Sequence, residues 1–302
     1  MLCSISLILI AGMFMGWACK KIKLPALLGM LLTGMILGPY MLNLIDESIL
    51  EISSELRKIA LIMILTRAGL GLDLSELKKI GRPAVLMCFV PATFELAGML
   101  LLAPKLMGLT VLEAAVMGSV LAAVSPAVVV PRMVKLMEEG YGVKEGIPQL
   151  ILAGASVDDV YVIVLFSTFV GMMQGERASV MSFVNIPVSI ILGIAIGLLL
   201  GFLLAYFFKK VHIRDTSKVL MMISISFLLV TFEEKLTTTI TFSALIAVMF
   251  LGIGLRQKRG EVAARISLKY GKIWVAAEVF LFVLVGAAVN ISYLGKVGIN
   301  AV

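Results

Sequence analysis

Apolar residues run along this chain in long blocks. They show neither the strict alternation of a half-buried strand nor the one-sided stripe of a soluble helix. Short stretches between the blocks hold most of the Lys, Arg, Asp and Glu. A helix needs roughly 20 mainly apolar residues to cross a bilayer. On that measure the pattern predicts about ten transmembrane helices, over 2–19, 25–42, 58–72, 83–104, 111–131, 147–173, 186–208, 218–232, 240–255 and 272–294. Some are short, and transporters commonly place their sites in short or broken spans. The expected fold class is an all-α polytopic membrane protein. Gly193, Gly197 and Gly201 recur at every fourth position, as do Gly34 and Gly38. That spacing lets helix backbones approach closely and speaks to packing alone. With no low-complexity segment and no long linker, residues 1–302 read as a single transmembrane domain.

Composition agrees. Hydrophobic residues make up 61% of the chain and charged ones 15%, against about 45–50% and 25% in a soluble domain. The mean hydropathy is +1.09. No soluble fold of this length hides that much apolar surface, so the main partner of the chain is the lipid bilayer. The net charge of +7 does not point to nucleic acid, because the cations lie between apolar blocks and not on one face of a soluble domain. With the N-terminus outside, the inner loops carry 19 of the 26 cations, the outer loops six, and Arg67 lies within a span. This is the positive-inside distribution of a multi-pass protein of the cell membrane, plasma or inner. The first block follows Met1 with no basic leader and no clear cleavage site, which predicts a membrane helix and not a cleaved signal. Cys3, Cys19 and Cys88 are widely spaced and form neither a disulfide framework nor a metal spacing. His212 stands alone in a basic loop. No cofactor is expected.

Ionisable residues at membrane depth are costly, so each is a candidate for function. The foremost are Asp158 and Asp159, near the middle of the block 147–173. Adjacent helical positions point about 100° apart, so one carboxylate can line a cavity while the other faces a neighbouring helix. Two buried carboxylates this close repel, which favours a proton on one of them. Such a group can hold a proton in one state and a cation in another; the plain alternative is a pair capping a broken helix. Ser125-Pro126 lies inside the block 111–131. Pro126 cannot donate the usual helical hydrogen bond. A break there frees carbonyls that, with the Ser125 hydroxyl, are hard oxygen ligands; the plain alternative is an ordinary proline kink. Glu95 and Arg67 lie mid-span on different blocks. They are expected to form an intramembrane ion pair, or to act in gating.

The stretches Leu27 to Pro39, Leu65 to Asp73, Gly118 to Pro131, Gly140 to Pro148 and Ala153 to Val160 resemble, in order and spacing, the cation/proton antiporter superfamily. The likeness is to its double-aspartate branch and, within it, to NHA-type sodium/hydrogen exchangers. The Ser-Pro break, followed by Gly-Tyr-Gly and then Asp-Asp, is the specific part. The resemblance implies a core domain and a dimerisation domain, with 58–173 the first core repeat and the remaining helices mainly scaffold and dimerisation. It implies a homodimer and alternating access by movement of the core. It also implies two broken helices that cross, one from each inverted repeat, the first at Ser125-Pro126. Asp159 inherits the role of cation and proton ligand, and is the one metal-ion ligand expected. The family has more spans than ten. The second broken helix and the helix that supplies the acidic core residue with a basic partner are therefore expected beyond Val302. The chain is expected to lack C-terminal helices and to hold an incomplete second repeat.

The expected activity is exchange of a monovalent cation, Na⁺ or Li⁺, for H⁺, with the two ions competing for one carboxylate site. No Gly-rich Lys-Ser/Thr loop for ATP is present, and no enzyme is expected. Three other readings stand beside it. A sodium-coupled organic-anion symporter of related fold fits ten spans, but Ile240 to Leu255 lacks the proline that its second broken helix needs. An intramembrane aspartyl protease needs aspartates on two helices, and Asp73 sits at a helix end beside a charged loop. A non-transporting remnant fits the missing helices.

Overall fold

The computed structural model describes residues 1–72, 81–173, 180–235 and 242–291. The side chains at 156, 157, 159, 160, 167 and 180–186 lie outside this description. The fold is all-helical, with no strand among the described residues. Among the described residues thirteen helices follow in order: α1 (Leu2–Lys21), α2 (Ala26–Leu37), α3 (Glu47–Glu51), α4 (Ser53–Gly71), α5 (Arg82–Met87), α6 (Val90–Met107), α7 (Val111–Leu121), α8 (Pro126–Glu138), α9 (Ile147–Met173), α10 (Val180–Lys210), α11 (Asp215–Lys235), α12 (Ala244–Lys258) and α13 (Gly260–Ala287). Two compact units emerge from their contacts, residues 1–63 with 271–302, and residues 64–270. The boundaries fall inside α4 and α13.

Glycine shapes the first unit. A Cβ on Gly34 would lie 1.9 Å from the Val283 carbonyl oxygen, and one on Gly286 would lie 2.1 Å from that of Leu31. The backbones of α2 and α13 therefore touch, which is the small-residue packing available to helices in lipid.

The second unit holds the site. Its tightest assembly is α4, α10 and α12. A Cβ on Gly69 of α4 would meet the Met249 carbonyl oxygen at 1.9 Å. On α10, Gly197 and Gly201 would meet the Ala247 and Leu251 carbonyl oxygens at 2.3 and 2.5 Å. Every residue of α12 from Ile246 to Leu255 is buried, as expected of a helix that is apolar all round.

Six helical segments among the described residues are long and apolar enough to cross a bilayer: Leu2–Lys21, Arg82–Met107, Val111–Glu138, Pro187–Lys210, Asp215–Lys235 and Gly260–Ala287. Two shorter apolar helices are Ala26–Leu37 and Tyr161–Met173. This measure, taken over the described residues, does not confirm the ten spans expected. α12 has only 15 residues, and α4 carries Glu55, Arg57, Lys58 and Arg67 among its 19. α13 begins twelve positions before the apolar block at 272, because Glu261, Arg265 and Lys269 repeat every fourth residue and continue the helix on a polar face.

Candidate functional site

The long helix α9 is flanked by two broken helices. The expected span 111–131 is two helices, α7 and α8, separated by 122–125. Pro126 opens α8 at its first position, where its missing N–H costs nothing and its fixed φ suits the helix. Ser125 caps that end with extended backbone, φ −71° and ψ 109°, and its side chain makes no cap bond. Its carbonyl accepts from Val128 and Val129 at 3.0 and 3.1 Å. At the other side, Ala122 donates to Gly118 and closes α7. The negative end of one helix dipole and the positive end of another thus meet across four residues.

Asp158 sits against this break. It is 4% exposed, and its Oδ2 accepts the Val124 N–H at 3.3 Å. The sequence puts both features in one neighbourhood; the structure brings the carboxylate of Asp158 to a backbone N–H that the break sets free. Asp159 occupies the next position of α9, and its side chain lies outside the described residues. Ser125 is exposed, Pro126 buried.

The second break was not legible as a break in the span 83–104. The helix stops at Met87 and restarts at Val90. Pro91 is the cause: it lacks the N–H that would bond the carbonyl four residues back, at Met87. Gly154, one turn before Asp158, makes room for this kink, since a Cβ there would meet Met87 Cγ at 2.8 Å and the Met87 carbonyl oxygen at 3.2 Å. Tyr161, in the turn after Asp158, holds the restart: its hydroxyl lies 3.0 Å from Thr93 Oγ1, and its ring meets Phe89 edge-on at 5.3 Å. A cavity of about 590 Å³ borders this corner, with Cys88, Phe89, Tyr161, Pro187 and Met249 among its lining residues.

The expected pairing of Arg67 with Glu95 is not what the structure holds. Arg67 Nη2 lies 3.2 Å from Glu138 Oε1, at the end of α8, while Glu95 is exposed on α6. A mid-span position in sequence does not say which way a side chain faces, and Glu138 lies seven residues past the apolar block that ended at 131 because α8 continues through it. Beside this pair is a polar cavity of about 360 Å³ lined by Glu138, Gln149, Arg256 and Ser267. Arg256 Nη1 donates to the Leu70 carbonyl at 3.1 Å, which places a cation at the C-terminal end of α4. Among the described residues, no three His, Cys, Asp or Glu side chains converge as a metal site.

Comparison with known proteins decides the family. A family model described as "Sodium/hydrogen exchanger, transmembrane" matches residues 5–302. The chain belongs to this family of transmembrane sodium/hydrogen exchangers. It is 34% identical over 281 residues to human sodium/hydrogen exchanger 9B2, covering 90% of this chain and 50% of that protein. To human sodium/hydrogen exchanger 9B1 it is 33% identical over 278 residues, covering 90% and 53%. The chain thus spans about half the length of the curated relatives it matches. The solved structure of the sodium proton antiporter MjNhaP1 from Methanocaldococcus jannaschii at pH 8 superposes with a TM-score of 0.76 at 22% identity. It covers 97% of this chain and 71% of that one, which shows a shared fold. The exchanger chain is a multi-pass membrane protein, and its relatives are transporters and not enzymes. The protease reading is set aside on that ground, and the symporter reading is not favoured.

Proposed function

We propose that this exchanger chain moves a monovalent cation, Na⁺ or Li⁺, against H⁺ across the cell membrane, with Asp159 as the ligand the two ions share. The observation that carries the reading is the Asp158 carboxylate held on the Val124 N–H. Asp158 is the fixed partner in this scheme. It anchors the broken segment 122–125 to α9 and balances the positive end of α8. Asp159, the next residue of α9, is the exchanging partner. Repulsion between the two carboxylates, in surroundings poor in water, raises the cost of leaving both charged and empty. A proton or a small cation on Asp159 relieves that cost, and competition between them couples the two flows. The Ser125 hydroxyl and the carbonyls of the break supply oxygen ligands of the kind hard cations take.

Arg67 and Glu138 tie α4 to the end of α8 and act in gating. The protein works as a homodimer, with its N-terminus outside. Collapse of a pH gradient in vesicles containing the chain tests the reading. A Na⁺- or Li⁺-driven signal absent from Asp159→Asn supports it, and a signal unchanged in that variant refutes it.

A further inference from the structure

The polar cavity of about 360 Å³ beside the Arg67–Glu138 pair takes no part in the exchange scheme. Several helices meet around it. α4 brings Gly71 at its end, α8 brings Glu138 at its end, and α9 brings Gln149 in its first turn. Arg256 comes from the last turn of α12 and Ser267 from α13. Gln149 precedes Asp158 by nine positions on α9, which is about 13 Å of helix. The cavity is therefore a place of its own, distinct from the break that holds Asp158.

Its charge balance is positive. The carboxylate on its wall, Glu138, is already paired with Arg67 at 3.2 Å. Arg256 spends Nη1 on the Leu70 carbonyl at 3.1 Å, and among the described residues no acid pairs with it. A guanidinium has five N–H donors, so most of its capacity is left for a ligand. The positive end of the α9 dipole opens on the same space, beside Gln149, which is 1% exposed. A cation entering here meets net repulsion, and an anion with several oxygens is favoured. Arg forks match phosphate oxygens, and helix N-termini favour the same group. The rest of the wall is apolar, with Val134, Met137, Val143 and Leu268. A bare inorganic ion leaves that side unmatched, whereas a small organic group fills it. The volume falls within the ~300–1,000 Å³ of small-molecule pockets.

We propose that this cavity binds a small organic phosphate monoester. Arg256 is the anchoring cation, Gln149 and Ser267 add an amide and a hydroxyl, and the apolar wall takes the organic group. Glu138 stays on Arg67, so the net charge offered to the ligand remains positive. A ligand seated here ties the ends of α4, α8, α9 and α12 to α13. The site is separate from the aspartates, and it stands whether or not the exchange reading does.

Melting of the 302-residue chain in uncharged detergent tests it, during titration with choline salts of phenyl phosphate, benzoate, inorganic phosphate or chloride at constant ionic strength. Choline keeps Na⁺ and Li⁺ out of the measurement. Phenyl phosphate stabilises at concentrations about tenfold or more below each of the other three salts. Arg256→Gln raises its half-saturating concentration by about tenfold or more, the loss expected for hydrogen bonds to a charged group. Ala264→Phe fills the cavity from an exposed position of α13 and leaves Arg256 in place; it raises the concentration as much, and it decides the matter if Arg256→Gln does not fold. Lys258→Gln, which removes equal charge two positions on, leaves it within a few-fold. Equal stabilisation by phenyl phosphate and any of the other salts, an equal loss in Arg256→Gln and Lys258→Gln, or unchanged binding in Ala264→Phe overturns the proposal.

Discussion

Replacing Gly69 with Ala adds one methyl group where α4 and α12 touch backbone to backbone. The new Cβ would stand 1.9 Å from the Met249 carbonyl oxygen and 2.9 Å from its carbon. Real Cβ atoms do not approach closer than 3.0 Å, so the helices must separate by about 1 Å. No rotamer relieves this, because both partners are backbone. Displacing α12 also disturbs its other flank, where a Cβ on Gly197 or Gly201 of α10 would likewise clash with carbonyl oxygens of α12, at 2.3 and 2.5 Å. Overpacking of this kind costs about 1–3 kcal/mol, and it outweighs the ~0.5–1 kcal/mol that Gly→Ala returns through helix propensity. Gly98→Ala is the control. It lies inside α6 with nothing within 4 Å of its Cβ, so only the propensity gain remains. Thermal unfolding in detergent should place Gly69→Ala well below the parent and Gly98→Ala at or above it. Equal melting of the two variants would refute the close α4–α12 contact.

Tyr161→Phe keeps the ring on Phe89 and removes the hydroxyl. Thr93 still donates to the Phe89 carbonyl at 2.7 Å, so the expected loss is at the low end for a hydrogen bond, ~0.5–1 kcal/mol; a melting drop as large as that of Gly69→Ala would contradict this. Glu138→Gln should cost at most ~1 kcal/mol, and less at high salt, because Glu138 is 57% exposed; urea unfolding at two ionic strengths measures it. Asp46, outside the membrane segments, is lowered from 3.8 to about 2, first by the Ser48 hydroxyl and then by other hydrogen bonds. A carboxylate lowered on folding adds stability that is present above its unfolded value near 3.8 and lost as pH falls toward 2. Ser48→Ala should raise the Asp46 titration midpoint seen by carboxyl NMR, and an unchanged midpoint would remove Ser48 as the cause.

The sequence shows the fold where chemistry is local. Pro126 marks the break before α8 because a residue without N–H belongs at a first helical turn and not inside one. Pro91 carries the same information about Met87, yet the apolar run 83–104 hides it, since hydropathy does not register a missing donor. The buried Asp158 was legible as costly; its bond to Val124 depends on how α9 packs against α7 and α8, which no local pattern encodes. The Arg67–Glu138 pair links residues 71 positions apart and was unreadable for that reason. Helix ends were misplaced where polar faces extend apolar cores, as at Glu261, Arg265 and Lys269. The double aspartate, the Ser-Pro break and Gly-Tyr-Gly, taken together in order, sufficed to indicate the family.

The central claim is that Asp159 is the site where cation and proton compete. Vesicles loaded with an imposed pH gradient, containing either the parent chain or Asp159→Asn, test it most directly. The account predicts that Na⁺ or Li⁺ dissipates the gradient with the parent, and that the response vanishes with Asp159→Asn while the variant remains folded. A cation-driven signal of equal size in both would contradict it.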